Sequence, residues 1–276
     1  MQLRHARGTL DLAQPVVMGV LNVTPDSFSD GGNFLDPARA LEQGLRMVEE
    51  GAQIIDVGGE STRPGAAAVD SAEELRRVIP VIRALAARSS ILISADTSDP
   101  TVMERAIGAG AGLINDVRAL RRPGAISAVA RSGAAACLMH MRGEPASMQQ
   151  APVYKNVVAE VRAVLQERMA ACVEQGVGSE RLCIDPGFGF GKTAAHNLEL
   201  LRHLGEFPDL GVPLVAGLSR KSMLAGLTGR GPAERLAGSV ALATIAVLNG
   251  ALIVRAHDVA ATVDAVRVAW AVRNAA

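Results

Sequence analysis

Aromatic residues are scarce: Phe, Trp and Tyr together make up 3% of the 276 residues, with a single Trp and a single Tyr. The 49% hydrophobic content must therefore be carried mostly by Ala, Val, Leu and Ile, which have to form the core. Net charge is lacking too, with 28 Lys and Arg against 28 Asp and Glu. No global field draws the chain to nucleic acid or a membrane surface, so neither partner is expected, and any anion must be held by a local cluster. Cysteine is limited to Cys137, Cys172 and Cys183, odd in number, far apart and without a CxxC pair. Buried, reduced thiols in a reducing compartment are expected. No stretch approaches the ~20 apolar residues of a membrane span, and the N-terminal MQLRHARGTL lacks the apolar segment of a signal peptide. The expected location is the cytoplasm.

Short apolar runs recur instead: VVMGVLNV (16–23), QIIDVGG (53–59), ILISADT (91–97), LINDV (113–117), ACLMHM (136–141), RLCIDPG (181–187), LVAGLS (214–219) and LIVRAHD (252–258). Several are apolar on consecutive residues, which suits parallel strands covered on both faces. Between them lie helical patterns, one opened by Asp36-Pro37 and others over 73–86, 100–107, 157–173 and 260–272. Gly51-Ala52, Gly110-Ala111 and Gly250-Ala251 each lead from a helical pattern into an apolar run, as though one turn were reused. Eight strands alternating with helices predict a (β/α)8 TIM barrel spanning 1–276 as a single domain, with an open doubly wound sheet as the competing architecture. Residues 2–12, with Arg7-Gly8 as a turn, predict a short N-terminal hairpin.

The segment from Cys183 to Thr193, CIDPGFGFGKT, resembles a phosphate loop but has Pro186 where the first required glycine would fall. Chemistry in a barrel gathers at the C-terminal ends of its strands, so the residues at the run exits matter more. They are Asn22, Asp56, Asp96, Asn115-Asp116, His140, Asp185, Ser219 to Ser222, and Arg255 with His257. Asp96, Asn115 and Asp185 are acceptor-rich, with Lys221 opposite, a set suited to the N–H edge of a planar heterocycle. Arg255 and His257 neighbour Asn22 if the sheet closes, which makes an anion site with room for a hard metal.

MGVLNVTPDSFSDGG (18–32) and DVGGESTRPGA (56–66) resemble the two signatures of the dihydropteroate synthase family. SADTS (94–98), LINDV (113–117), MHMRGEPASMQ (139–149), DPGFGFGKT (185–193), GLSRKS (217–222) and RAHDV (255–259) match it in order, over residues 14 to 270. Asp99 stands where many members carry a basic residue, and should cap a helix. The resemblance implies condensation of 6-hydroxymethyl-7,8-dihydropterin diphosphate with 4-aminobenzoate, giving 7,8-dihydropteroate and pyrophosphate in folate synthesis. It also implies Mg²⁺ assistance, an SN1-like displacement, a homodimer and a sulfonamide-sensitive aminobenzoate site. By motif, Asp96, Asn115, Asp185 and Lys221 match the pterin contacts, and Met139 is expected beside them. Asn22 matches the Mg²⁺ ligand and, with Arg255 and His257, the diphosphate pocket. Phe28, Thr62, Arg63, Pro64, Phe190, Lys221 and Ser222 match the aminobenzoate site, and Asp30 an acid that orders the first loop.

Asp56 and Asp116 stay open between a place in the site and the fixing of loops or neighbouring side chains. His140 reads as structural, Lys192 and Thr193 as ordinary residues at the start of the next helix or loop, and Leu248 and Trp270 as core or dimer face. A corrinoid-linked methyltransferase domain and a non-catalytic pterin-binding paralogue are the rivals. The first needs neither the STRP loop nor the SRKS exit, and the second would have lost Asn22, Arg63, Lys221 or Arg255. All are present.

Overall fold

The computed structural model describes residues 1–24, 37–60, 69–144, 148–149 and 151–275. An antiparallel hairpin leads, β1 (Gln2–His5) with β2 (Gly8–Asp11). Its turn falls on Ala6 and Arg7, because Gly8 already pairs with His5. Eight strands follow: β3 (Val16–Asn22), β4 (Ile54–Gly58), β5 (Leu92–Asp96), β6 (Leu113–Asp116), β7 (Ala135–Met139), β8 (Leu182–Asp185), β9 (Val215–Ala216) and β10 (Ile253–Ala256). Their hydrogen-bonded order is β8-β7-β6-β5-β4-β3-β10-β9, with every pair parallel. A parallel bridge between Ile184 and Leu214 joins the two ends, and Ile184 N donates to Pro213 O at 3.0 Å. The sheet thus closes into a TIM barrel, which excludes the open doubly wound alternative. β9 is shorter than the expected run, and Pro213 just ahead of it has no N–H to add to the ladder.

The connecting helices are α1 (Pro37–Glu49), α2 (Ser71–Arg88), α3 (Pro100–Ala109), α4 (Ala125–Ser132), α5 (Val157–Glu174), α6 (Ala194–Arg202), α7 (Met223–Thr228), α8 (Leu236–Leu248) and α9 (Val259–Arg273). Asp99 caps α3 by accepting from Thr101 N and Val102 N, as its position predicted. The reused joint is real and has one geometry. Ala52 N, Ala111 N and Ala251 N each donate to the carbonyl five residues back at 2.9 Å, and the glycine before each has positive φ. This paired-bond ending satisfies the last carbonyls of the helix and returns the chain directly into a strand.

Strand alternation sorts the barrel into two cores. Residues facing outward, such as Val17, Ile55, Val57, Ile93, Ile114, Leu138 and Ile184, pack beneath the helices. Residues facing inward, Val16, Met18, Ile54, Leu92, Leu113, Ala135, Cys137, Cys183, Val215 and Ile253, fill the lower barrel with Leu3 and Leu12 of the hairpin region. Each fully buried aliphatic side chain of this kind contributes about 1.5–3 kcal/mol. Cys137, Cys172 and Cys183 are buried free thiols, as expected. Cys137 and Cys183 are register partners across β7 and β8. No helix of the described residues is long and apolar enough to cross a membrane.

Candidate active site

The same alternation builds the site. Two residues above inward Ile54 is Asp56; above Leu92 and Ser94 is Asp96; above Leu113 is Asn115; above Cys183 is Asp185; above Ile253 is Arg255. The lower layers are apolar and the upper ones polar, so the barrel ends in a pocket. Asp96, Asn115, Asp185, Lys221 and Arg255 line it with Met139, Val117, Phe188, Phe190 and Gly217. All four expected pterin contacts and Met139 are therefore brought together, and Phe190 and Arg255 open onto the same space.

Arg255 is the electrostatic hinge. Its Nε donates to Asp56 Oδ2 at 2.6 Å and its Nη2 to Asp96 Oδ2 at 2.7 Å. Asn115 Nδ2 donates to the same Asp56 oxygen at 3.0 Å. Burial pushes Asp96 up to about 7; Arg255 pulls it down and the Asp56 charge adds to the rise. Burial also raises Asp185, which the Gly187 N–H, 2.7 Å from its Oδ1, and Lys221 oppose. Lys221 is pushed down to about 8 by burial, with Asp185 acting the other way. Its ammonium lies 4.4 Å from the centre of the Phe190 ring, a cation–π contact.

The neighbouring rim holds the expected anion residues. Asn22 ends β3, which is paired to β10, so Asn22 and Arg255 sit on adjacent strands. His257 lies just past β10, with Nδ1 3.0 Å from Ser219 Oγ. Burial, then Arg255, brings it down to about 4, so its ring is neutral at pH 7. The loop after β9 is pinned to the loop after β10 by a two-pronged ion pair, Arg220 with Asp258. Arg220 has φ +56° and donates its backbone N–H to Ser239 Oγ. This sets the chain that carries Lys221 into the pocket and Ser222 to the N-terminus of α7. Phe28, Asp30, Thr62, Arg63 and Pro64 lie outside the described residues.

Asp116 and His140 do not join the site, because they fall on the outward parity. Asp116 accepts from Ser98 Oγ, Arg118 N and Leu120 N, anchoring a loop in which Ala119 and Leu120 both have positive φ. His140 Nδ1 is 2.9 Å from Lys192 Nζ. Burial, then Lys192 and Arg142, brings its ring down to about 2.

Lys192 corrects the sequence reading. It is buried, and its ammonium group donates to Gly187 O at 2.9 Å and Phe190 O at 3.1 Å, tying the GFGFG turn from inside. Gly187 has φ +70°, and a side chain there would meet His140 O at 1.9 Å. Phe190 is held by this lysine and these glycines together. Thr193 caps α6, with His196 completing a capping box. Val117, Gly187, Phe188 and Gly217 were not anticipated as pocket walls; each lies within three residues of a recognised exit, and only the fold shows which of them faces the pocket.

The family described as pterin binding enzyme matches residues 18–257. A dihydropteroate synthase of Escherichia coli is 53% identical over 271 residues, covering 98% of this chain and 96% of its own. The Yersinia pestis dihydropteroate synthase, solved with a sulfonamide drug complex, superposes with a TM-score of 0.95 at 49% identity over 100% of both chains. The Xanthomonas albilineans enzyme, solved with 7,8-dihydropteroate, does so with a TM-score of 0.89 at 52% identity over 97% of both. A closed barrel with an acceptor-rich mouth, matched along nearly its whole length by these relatives, places the chain among the pterin-binding enzymes, in the dihydropteroate synthase family.

Proposed function

We propose that this dihydropteroate synthase reads the dihydropterin at the barrel mouth and expels its diphosphate at the adjoining rim in an SN1-like displacement. The observation that carries the reading is the convergence of Asp96, Asn115, Asp185, Lys221 and Arg255 on one pocket. Carboxylates and an amide oxygen meet the N–H groups of the pterin edge, Lys221 supplies a donor to its acceptors, and Met139 lies against the ring. The diphosphate faces Asn22, Arg255 and His257. A neutral His257 acts there as a hydrogen-bond donor, a role suited to charge that develops as the bond breaks. 4-Aminobenzoate occupies the space beside Phe190, with its carboxylate toward Lys221 and Ser222; the family motifs assign Phe28, Thr62, Arg63 and Pro64 to the same substrate and Asp30 to ordering the first loop.

The donor set fits Mg²⁺. No cluster of three His, Cys, Asp or Glu residues suited to a metal exists among the described residues. A hard cation at this rim would rest on the Asn22 amide oxygen and take its remaining ligands from diphosphate and water. Bound there, it would supply charge neutralisation to the departing diphosphate. The incoming aromatic amine is neutral at pH 7 and needs no strong base. The carboxylates around the electron-rich pterin favour positive charge on its methylene, and exclusion of water protects that centre until the amine arrives.

The paired helices α8 and α9 support assembly of two copies: Ile245, Leu248, Val268 and Val272 are exposed on them. Three buried free thiols support a cytoplasmic location. Because sulfonamides resemble 4-aminobenzoate, they are expected to compete at the Phe190 side of the site, and turnover unchanged by saturating sulfonamide would refute this.

Purified protein with Mg²⁺ should release pyrophosphate only when both substrates are present; pterin binding without turnover would sink the reading. The displacement order has its own test. Oxygen-18 in the bridge between methylene and diphosphate should scramble into non-bridging positions on the enzyme without 4-aminobenzoate, and a fixed label would exclude the SN1-like order.

A further inference from the structure

We propose that Asp56 is a positioning residue that fixes which end of the Asn115 side chain faces the pterin, resting on the assignment of this pocket to the pterin. An asparagine amide carries a donor end and an acceptor end of nearly the same shape, so its environment decides which one a ligand meets. Asp56 lies on β4, inward, one layer below the pocket floor and with no exposure. Its Oδ2 accepts from Asn115 Nδ2 at 3.0 Å and from Arg255 Nε at 2.6 Å. A carboxylate paired to a guanidinium offers acceptors only, so the amide nitrogen must turn toward Asp56. Asn115 Oδ1 is the end left for the pocket, beside the carboxylates of Asp96 and Asp185.

The consequence is specificity. Three acceptors in a row select a heterocycle whose edge carries N–H groups. A ring with an acceptor at the corresponding position would leave buried oxygens facing one another, which a polar site rejects far more strongly than a missing contact in an apolar one. Asp56 touches neither substrate in this arrangement and acts through Asn115 and Arg255.

Three variants test this: Asn115→Ala, Asp56→Asn and Asn115→Asp. Asn115→Ala should raise KM for the pterin diphosphate. Asp56→Asn should raise the same KM about tenfold while moving KM for 4-aminobenzoate by less than about twofold. Asn115→Asp sets two carboxyl groups face to face. Its loss should shrink, relative to wild type, as pH is lowered and one of the pair gains a proton.

An Asp56→Asn protein that loses thermal stability yet keeps both KM values would overturn the proposal. If Asn115→Ala leaves the pterin KM untouched, the pocket assignment falls and takes this proposal with it. If Asn115→Ala raises that KM while Asp56→Asn does not, the proposal alone fails. Should Asp56→Asn not fold, the pH response of Asn115→Asp decides, and its absence refutes the role.

Discussion

Arg255 neutralises two carboxylates at once, Asp56 and Asp96, and this makes its removal a structural as well as a functional event. Truncation to Ala would leave both charges uncompensated, at a cost of about 3–5 kcal/mol. Arg255→Lys is the sharper probe. It keeps the charge but loses the planar fork, so kcat/KM for the pterin diphosphate should fall on the order of 100-fold with a smaller loss in urea stability. Equal activity in the Lys variant would show that only charge matters. Asp96 makes a second prediction. Ionised, it offers acceptors alone, whereas a proton turns one of its oxygens into a donor, and burial pushes the carboxyl up to about 7. Capture of the pterin diphosphate should therefore weaken as pH falls through about 7, visible as an acid limb in kcat/KM. Asp96→Asn should flatten that limb at reduced overall activity; a limb that persists belongs to another group.

Helix α2 carries a buried acid into the region behind the site. Glu74 is 4% exposed, its Oε1 has no hydrogen-bond partner among the described residues, and the Thr97 hydroxyl bonds to the carboxyl. Burial pushes it up to about 7 from the usual 4.5, with Thr97 opposing and the Glu60 and Asp99 charges adding. The folded state then binds more protons than the unfolded chain between pH 4.5 and 7, so stability falls as pH rises through that window. Glu74→Gln cannot titrate. Its stability relative to wild type should improve from pH 5 to pH 8 by on the order of 1 to 3 kcal/mol in urea titrations. A constant difference at the two pH values would mean that Glu74 is not protonated in the fold. At this scale the sequence was legible where backbone chemistry is local. The Gly-Ala joints and the Asp99 cap were readable because each acts within a few residues. Lys192 was not, because its partners are carbonyls inside a turn whose path depends on Gly187 and on His140 of another strand.

At the scale of the whole molecule, closure of the sheet makes eight separate exits into one mouth. The outer face of α8 and α9 carries exposed apolar side chains: Val268 and Val272 are each 62% exposed. If two copies meet there, Val268→Glu should shift the sedimentation profile from dimer toward monomer at micromolar concentration while the barrel stays folded. A dimer that survives the change would place the contact elsewhere.

The sequence by itself determined the alternation of strands and helices, the polar residue at each strand exit and the family signatures. These are set by residues a few positions apart, where side-chain period and capping chemistry are readable along the chain. Asp96, Asn115, Asp185, Lys221 and Arg255 were all visible in this way. The tertiary structure decided which exits point inward. Asp116 and His140 fall one residue out of phase and become anchors of loops, whereas Asp56 falls in phase and reaches Arg255 past the intervening β3, 199 positions along the chain. Strand parity is a local property, but the register that gives it meaning exists only once the eight strands have closed on one another.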